Sequence, residues 1–316
     1  MSARAFEDAV QPFQVEDARV RGRMVRLGPA LESILDPRGF PPPVEAMLAE
    51  AVTLAALLAS GFKYKGVFTL QTQGDGPVGL MVADVTSDGS LRGYARVDAE
   101  RIAQVRARTP AAPVPRLLGA GNLSFTLDQG PATERYQGIV ALEGGRLAEC
   151  VQTYFRQSEQ LETAIVVAEN CSARAAGNRT PRRAAALMVQ RLPPENPPGG
   201  ETPSPALDEA EEDWRRVVTL ASSVSAAELL DDRLQPNDVL ARLFREDGVR
   251  AYRSRKLRHA CRCSRAKVER TLCSFPRAEI EEFIVDGLVD VTCEFCGTHY
   301  RFDEPALARL FADGKA

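Results

Sequence analysis

Four of the seven cysteines fall in two close pairs, Cys261-Arg262-Cys263 and, after twenty-nine further residues, Cys293-Glu294-Phe295-Cys296. A thiolate is a soft metal ligand. Two thiolate pairs separated by the length of a small folded module build a tetrahedral Zn²⁺ site, each pair giving two sulfurs from one turn. With sulfur in all four positions no coordination site is left for water or substrate, so hydrolytic zinc chemistry is not expected. Two roles stay open. In the first the metal is only a staple, because the residues from Lys256 to Ala316 are too few to bury a sufficient core. Alternatively the sulfurs also carry out thiol chemistry. The Cys-x-Cys pair favours the second role, being tighter than the usual Cys-x-x-Cys of zinc ribbons, with its sulfurs close enough to oxidise to each other once a metal has left.

Other residues of chemical interest add little. His259 and His299 flank the cysteine pairs, and with four cysteines available they are read as non-ligands. Cys150 and Cys171 sit in apolar stretches and are read as core; Cys273, inside the module but outside both pairs, is a spare thiol without a role. Gly74-Asp75-Gly76 looks like part of a phosphate loop, but it lacks the Gly-Lys-Ser/Thr ending and leads into a strand rather than a helix. There is no Ser/His/Asp arrangement or clustered carboxylate pair, so the chain is not read as an enzyme.

The formal charge of −3 and pI near 5.7 over 316 residues argue against a protein that grips nucleic acid by neutralising phosphates. From Lys256 to Ala316 ten basic residues face ten acidic ones, and Zn²⁺ with four thiolates adds two negative charges. Membrane association is not expected either: Met1 to Phe13 lacks the apolar core of a signal peptide, and the apolar stretch Ala51 to Ala59 is too short to span a bilayer. The expected location is the cytoplasm, where cysteines stay reduced and a cysteine cluster means metal or redox function.

The elements that must carry these residues read as α+β. Val44 to Ser60 is apolar on every face and predicts a buried helix. The period then changes to two, predicting an antiparallel meander of Val67 to Gln71, Val78 to Val85 and Leu91 to Val97, turning at Gly74-Asp75-Gly76-Pro77 and Asp88-Gly89. Strands are expected at Leu123 to Leu127, Arg135 to Leu142, Thr163 to Ala168 and Ala185 to Gln190, with a helical core stripe of Leu147, Cys150, Val151, Tyr154 and Phe155. Ser172 to Arg183 reads as a solvated hairpin insertion. Six prolines between Pro193 and Pro205 mark a linker. Beyond them come three short helices, one from Ser204 with Leu207, Trp214, Val217, Val218 and Ala221 on one face, one opened by the capping box Ser225-Ala226-Ala227-Glu228, and one over Asn237 to Arg245. Glu201 to Gly248 holds twelve acidic and five basic residues, and helices this short need a neighbour to cover their apolar stripes. The expected division is 1–192 core, 193–255 proline-rich and helical linker, and 256–316 metal-binding module.

Gln73-Gly74-Asp75-Gly76-Pro77, Arg92-Gly93-Tyr94-Ala95-Arg96, Arg135-Tyr136-Gln137-Gly138, Tyr154-Phe155 with Ser158-Glu159-Gln160, Cys261-Arg262-Cys263-Ser264-Arg265 and Cys293 to Tyr300 closely resemble, in order, the redox-regulated bacterial holdase chaperones of the thirty-three-kilodalton heat-shock family. The resemblance runs from about residue 15 to 305. It implies an N-terminal antiparallel-sheet and helix core domain, a helical linker and a small C-terminal zinc-binding redox-switch domain. It also implies Cys261, Cys263, Cys293 and Cys296 as ligands of one Zn²⁺ in an inactive reduced state. Oxidation to the disulfides Cys261–Cys263 and Cys293–Cys296 would expel zinc, unfold the switch domain and linker, and yield an ATP-independent holdase that forms a homodimer and binds unfolding client proteins. The proline-rich insertion 193–205 and the arginines near Arg179 to Arg183 depart from the family pattern. The competing classes are a zinc-ribbon nucleic-acid binder, which lacks its basic footprint, and a thiol oxidoreductase using Cys293 and Cys296, whose motif normally stands alone after a strand of an α/β fold.

Overall fold

The computed structural model describes residues 8–105, 114–131, 133–171, 180–193 and 204–313, in two compact units, Met1–His259 and Ala260–Ala316. In chain order the first unit begins with the hairpin β1 (Ala9–Val15) and β2 (Val20–Leu27), the short helix α1 (Pro29–Leu35) and the long helix α2 (Pro42–Ala59). The meander β3 (Val67–Gly74), β4 (Val78–Thr86) and β5 (Ser90–Val97) follows, then α3 (Ala99–Val105), α4 (Val114–Leu117), β6 (Gly121–Asp128) and β7 (Tyr136–Ala141). Helix α5 (Leu147–Tyr154) runs into a π-helical turn, Phe155–Glu159, before β8 (Thr163–Glu169) and β9 (Ala184–Arg191).

Helix α2 is the centre of this unit. Pro42 at its first turn starts it at no hydrogen-bond cost, and every residue from Pro43 to Ala59 is buried. It is the one helix among the described residues long and apolar enough to cross a membrane, and it is instead the core helix. One sheet runs β5-β4-β3-β6-β7 and the other β1-β2-β9-β8, and α2 packs against both. Its buried polar groups are satisfied, as interiors require. Glu50 accepts from the Ala148 N–H at 3.0 Å and lies 3.5 Å from Arg146. Glu45 pairs with Arg182 at 2.7 Å.

Arg182 corrects one expectation. Residues 172–179 of the supposed solvated insertion lie outside the described residues, but Arg182 is 8% exposed, with Glu32, Asp36 and Glu45 around its guanidinium. Arg182 is buried because three carboxylates, Glu32 of α1, Asp36 at its end and Glu45 of α2, supply its counter-charge and hydrogen bonds.

A further layer lies on the far face of the second sheet: α6 (Ser204–Ser222), α7 (Ala226–Leu230) and α8 (Pro236–Phe244). Strand β9 is apolar from Ala184 to Val189 because both its faces are covered there. Ala184, Ala186 and Met188 belong to the core around α2, and Ala185, Leu187 and Val189 to the core under these helices. Trp214, Val217 and Ala221 are the buried stripe of α6 and Val218 packs at its margin; the Leu207 side chain lies outside the described residues. Phe13 stacks on Phe244 of α8 with ring centroids 5.7 Å apart. This needs glycine opposite Phe13 in the β1–β2 ladder, since a Cβ on Gly22 would sit 2.0 Å from the Phe13 ring. Fully burying each large apolar side chain contributes about 1.5–3 kcal/mol, so this layer is held by packing. Arg26 adds bonds to the carbonyls of Glu228 and Asp231 at 3.2 and 3.3 Å. Ser225 caps α7 in a capping box with Glu228.

After α8 the chain closes sheet edges. Strands β10 (Val249–Ala251) and β11 (Arg255–Lys256) pair with β1, and β12 (Arg258–His259) pairs parallel with β5. The β1 edge of one sheet and the β5 edge of the other are thereby covered. The second unit comprises α9 (Arg265–Leu272), α10 (Arg277–Glu281), the hairpin β13 (Leu288–Thr292) and β14 (His299–Asp303), and α11 (Glu304–Asp313). Its core is thin: Leu272, Ile280, Val289, Phe302 and Leu307 are its buried hydrophobic residues.

Candidate metal centre

The second unit brings both cysteine pairs together. Cys293 to Gly297 is the turn between β13 and β14: the Cys293 N–H donates to the Thr298 carbonyl and the Gly297 N–H to the Cys293 carbonyl, both at 2.9 Å. Gly297 takes φ 70°, a left-handed position that glycine occupies without strain. Cys261 and Cys263 come from the segment before α9. Ser264 caps that helix, its hydroxyl accepting from the Lys267 N–H at 3.3 Å. The Arg265 guanidinium lies 4.3 Å over the Phe302 ring and donates to the Arg301 carbonyl at 3.2 Å, tying the start of α9 to β14.

The Sγ atoms of Cys261, Cys263, Cys293 and Cys296 all lie within 4.8 Å of one another. The close approaches cross between the pairs: Cys261 to Cys293 is 3.7 Å and Cys263 to Cys296 is 3.4 Å. A tetrahedron with metal–sulfur bonds of about 2.3 Å has edges of about 3.8 Å, so four thiolates here fit one metal ion. Such a sulfur set suits Zn²⁺ or iron. All four cysteines are free thiols and half-buried.

Two side chains on the hairpin contact the sulfurs. Tyr300 donates to Cys263 Sγ at 3.0 Å, and Thr298 Oγ1 lies 3.1 Å from Cys296 Sγ. Burial pushes the Cys263 thiol up to about 12, although the Tyr300 hydroxyl works the other way. Burial raises Cys261 as well. At Cys296 burial also opposes ionisation, but the hydroxyl and N–H of Thr298 and the neighbouring thiols outweigh it and hold the group at about 6. Burial thus holds protons on Cys261 and Cys263, and a bound cation would favour their thiolates.

The metal cluster among the described residues contains no histidine. His299 has Nδ1 3.0 Å from Asp290 and 3.2 Å from Thr292 Oγ1, and His259 lies in β12 of the first unit. Cys273 caps the end of α9, its sulfur 3.7 Å from the Leu310 carbonyl. Cys150 and Cys171 are fully buried in the first unit. Tyr300 and Thr298 are the contacts to which the sequence alone assigned no role. Their signal was position, since a strand leaving the second cysteine pair must turn alternate residues toward the metal side.

Comparison with known proteins shows the family. The model of the family described as Hsp33 protein matches residues 8–303. The 33 kDa chaperonin of Caulobacter vibrioides is 38% identical over 301 residues, covering 95% of this chain and 96% of its own length. That of Nitrosococcus oceani is 35% identical, covering 97% and 95%. Among solved structures, the 33 kDa chaperonin (heat shock protein 33 homolog) of Thermotoga maritima superposes with a TM-score of 0.77 over 97% of this chain and 98% of its own, at 23% identity, a likeness of fold.

Proposed function

The chain belongs to the Hsp33 family, and from that premise we propose that it is a redox-regulated, ATP-independent holdase chaperone of the cytoplasm, inactive while reduced and zinc-bound. The observation that carries this reading is the gathering of four thiol sulfurs within 4.8 Å in a unit with five buried hydrophobic residues among those described. Cys261, Cys263, Cys293 and Cys296 would hold one Zn²⁺. When bound it keeps four sulfurs as thiolates and contributes folding free energy, on the order of 10–16 kcal/mol in small thiolate modules. A whole domain is stable by only about 5–15 kcal/mol, so a module that loses this ligand set unfolds.

Thiolates are what oxidants attack. Oxidising the four sulfurs to two disulfides gives four electrons to the oxidant, for a peroxide two per molecule with reduction of the O–O bond to water. Pairing as Cys261–Cys263 and Cys293–Cys296 closes two very short loops and leaves the two motifs unlinked. Pairing within each motif is what the resemblance to the family implies. The same reading divides the chain into core 1–192, linker 193–255 and switch domain 256–316, and on activation α6 to α8 would leave the second sheet. The freed apolar surface then binds unfolding proteins and a second copy of the chain.

The test is aggregation of a chemically unfolded protein, followed by light scattering, with the reduced zinc-loaded chain and with the peroxide-oxidised chain. Suppression by the oxidised form alone is expected. Equal suppression by both forms would leave a chaperone without a redox switch, and suppression by neither would remove the reading. The alternatives, a nucleic-acid-binding zinc ribbon and a thiol oxidoreductase, gain no specific observation.

A further inference from the structure

Two motifs that the metal centre does not use, Arg135 to Gly138 and Tyr154 to Gln160, meet in the first unit at the rim of a cavity. The hydroxyls of Tyr136 and Tyr154 lie 2.5 Å apart, and both donate to Glu159 Oε1, Tyr154 across 2.7 Å. Glu159 is delivered there by the π-helical turn Phe155–Glu159, which Gln160 closes at φ 52°. A non-glycine residue takes that left-handed conformation at a cost, and single π turns concentrate at functional sites.

The cavity behind this rim holds about 130 Å³, close to the roughly 150 Å³ that accommodates benzene in an engineered protein cavity. Leu58, Phe62, Phe68, Phe125 and Met188 supply apolar walls. From β2, Arg21 and Arg23 lie on one face of the strand and both direct guanidinium nitrogens at Gln190 Oε1, at 3.2 and 3.4 Å. That amide oxygen carries no charge, and the one carboxylate lining the cavity, Glu159, is taken up by the two phenols. Burial, with Arg21 and Arg255 nearby, lowers the Arg23 guanidinium to about 10. Two arginines and one carboxylate leave the cavity with a net single positive charge.

We propose that this cavity is a binding site for a small monoanionic aromatic acid, its ring among the apolar walls and its carboxylate bridging Arg21 and Arg23. The volume limits the occupant to one ring. The uncompensated charge selects a monoanion over a neutral molecule, and the forked donors of paired guanidiniums match a carboxylate. The site is separate from the cysteine cluster and independent of the redox reading.

Benzoate titrated by calorimetry into the reduced, zinc-loaded full chain tests it, with amide shifts of Leu161 and Met188 followed by NMR. Saturable binding of one benzoate per chain is expected. Arg23→Gln should weaken it roughly tenfold to a hundredfold and leave the affinity for toluene unchanged. Arg21→Gln serves as the second variant should Arg23→Gln lose its circular-dichroism spectrum. Absence of saturable binding, equal affinity in the folded arginine variants, or inorganic phosphate binding as tightly as benzoate would each overturn the assignment.

Discussion

Tyr300 donates its phenolic hydrogen to the Cys263 sulfur across 3.0 Å. With Cys263 holding the proposed metal, the bond would orient that ligand from outside the coordination sphere and draw charge from the sulfur. Removing contacts of this kind typically costs about 10–100-fold in metal affinity. Tyr300→Phe should therefore keep one zinc per chain, bind it about tenfold or more weakly against a chelator, and lose thiols to peroxide faster. An unchanged affinity and oxidation rate would show the contact to be incidental.

Zinc uptake should release protons, because burial raises the Cys261 and Cys263 thiols above their ordinary value in the metal-free cluster. Thiols with raised values stay protonated over more of the pH range, so affinity should climb as pH rises toward 9 and fall in acid. Chelator competition at a series of pH values measures this. A flat profile would mean that the thiols are ionised before metal arrives.

Cys263→Ser or Cys293→Ser removes a thiolate that a neutral hydroxyl does not replace. The second unit should loosen while the first persists, because α2 and its two sheets own their core. Limited proteolysis should cut after residue 260 first. Equally fast cleavage within 67–191 would contradict the separation of the two cores.

Trp214 is the single tryptophan and is 8% exposed against the second sheet. If the helical layer is released on activation, its emission should shift to the red on oxidation and recover on reduction with zinc. Trp214→Ala should cost about 3–5 kcal/mol of the layer's stability and make the reduced protein partly active. Emission that stays constant while aggregation is suppressed would place the client surface elsewhere.

Glu50 offers a test of the core alone. Burial raises its carboxyl above the ordinary 4.5, with Arg146 and the Ala148 N–H partly offsetting this. A carboxyl that binds its proton more tightly when folded loses stability as pH rises from 4.5 through its folded value. Glu50→Gln, which keeps an acceptor for Ala148, should thus match the natural protein in acid and be the more stable at pH 7. Thermal melts across that range decide it, and a gap independent of pH would assign the effect to packing.

Legibility in the sequence followed the range of the interactions. The four cysteines, the meander from Val67 to Val97 and the Ser225–Glu228 box rest on spacings of a few residues, and each appears where its pattern put it. What escaped depends on partners far along the chain. The β1–β2 hairpin and α1 have no local signal, nor do β10 to β12, whose two or three residues become strands only because β1 and β5 offer free edges. Arg182 looked solvated because nothing near it in sequence announces Glu32, Asp36 and Glu45. The cluster of Tyr136, Tyr154 and Glu159 was visible only as three letters in two motifs.

The pairing of β1 with β10, Val15 opposite Val249, has a consequence for how the protein is made. The N-terminal hairpin emerges from the ribosome early, whereas its inner neighbour β9 and its edge cover follow much later. At ordinary translation rates the interval to β10 is roughly 10–50 s. Such long-range closure gives high contact order and slow folding. During synthesis β1 therefore waits with one backbone edge unpaired, the kind of edge on which another chain can pair until β10 closes it.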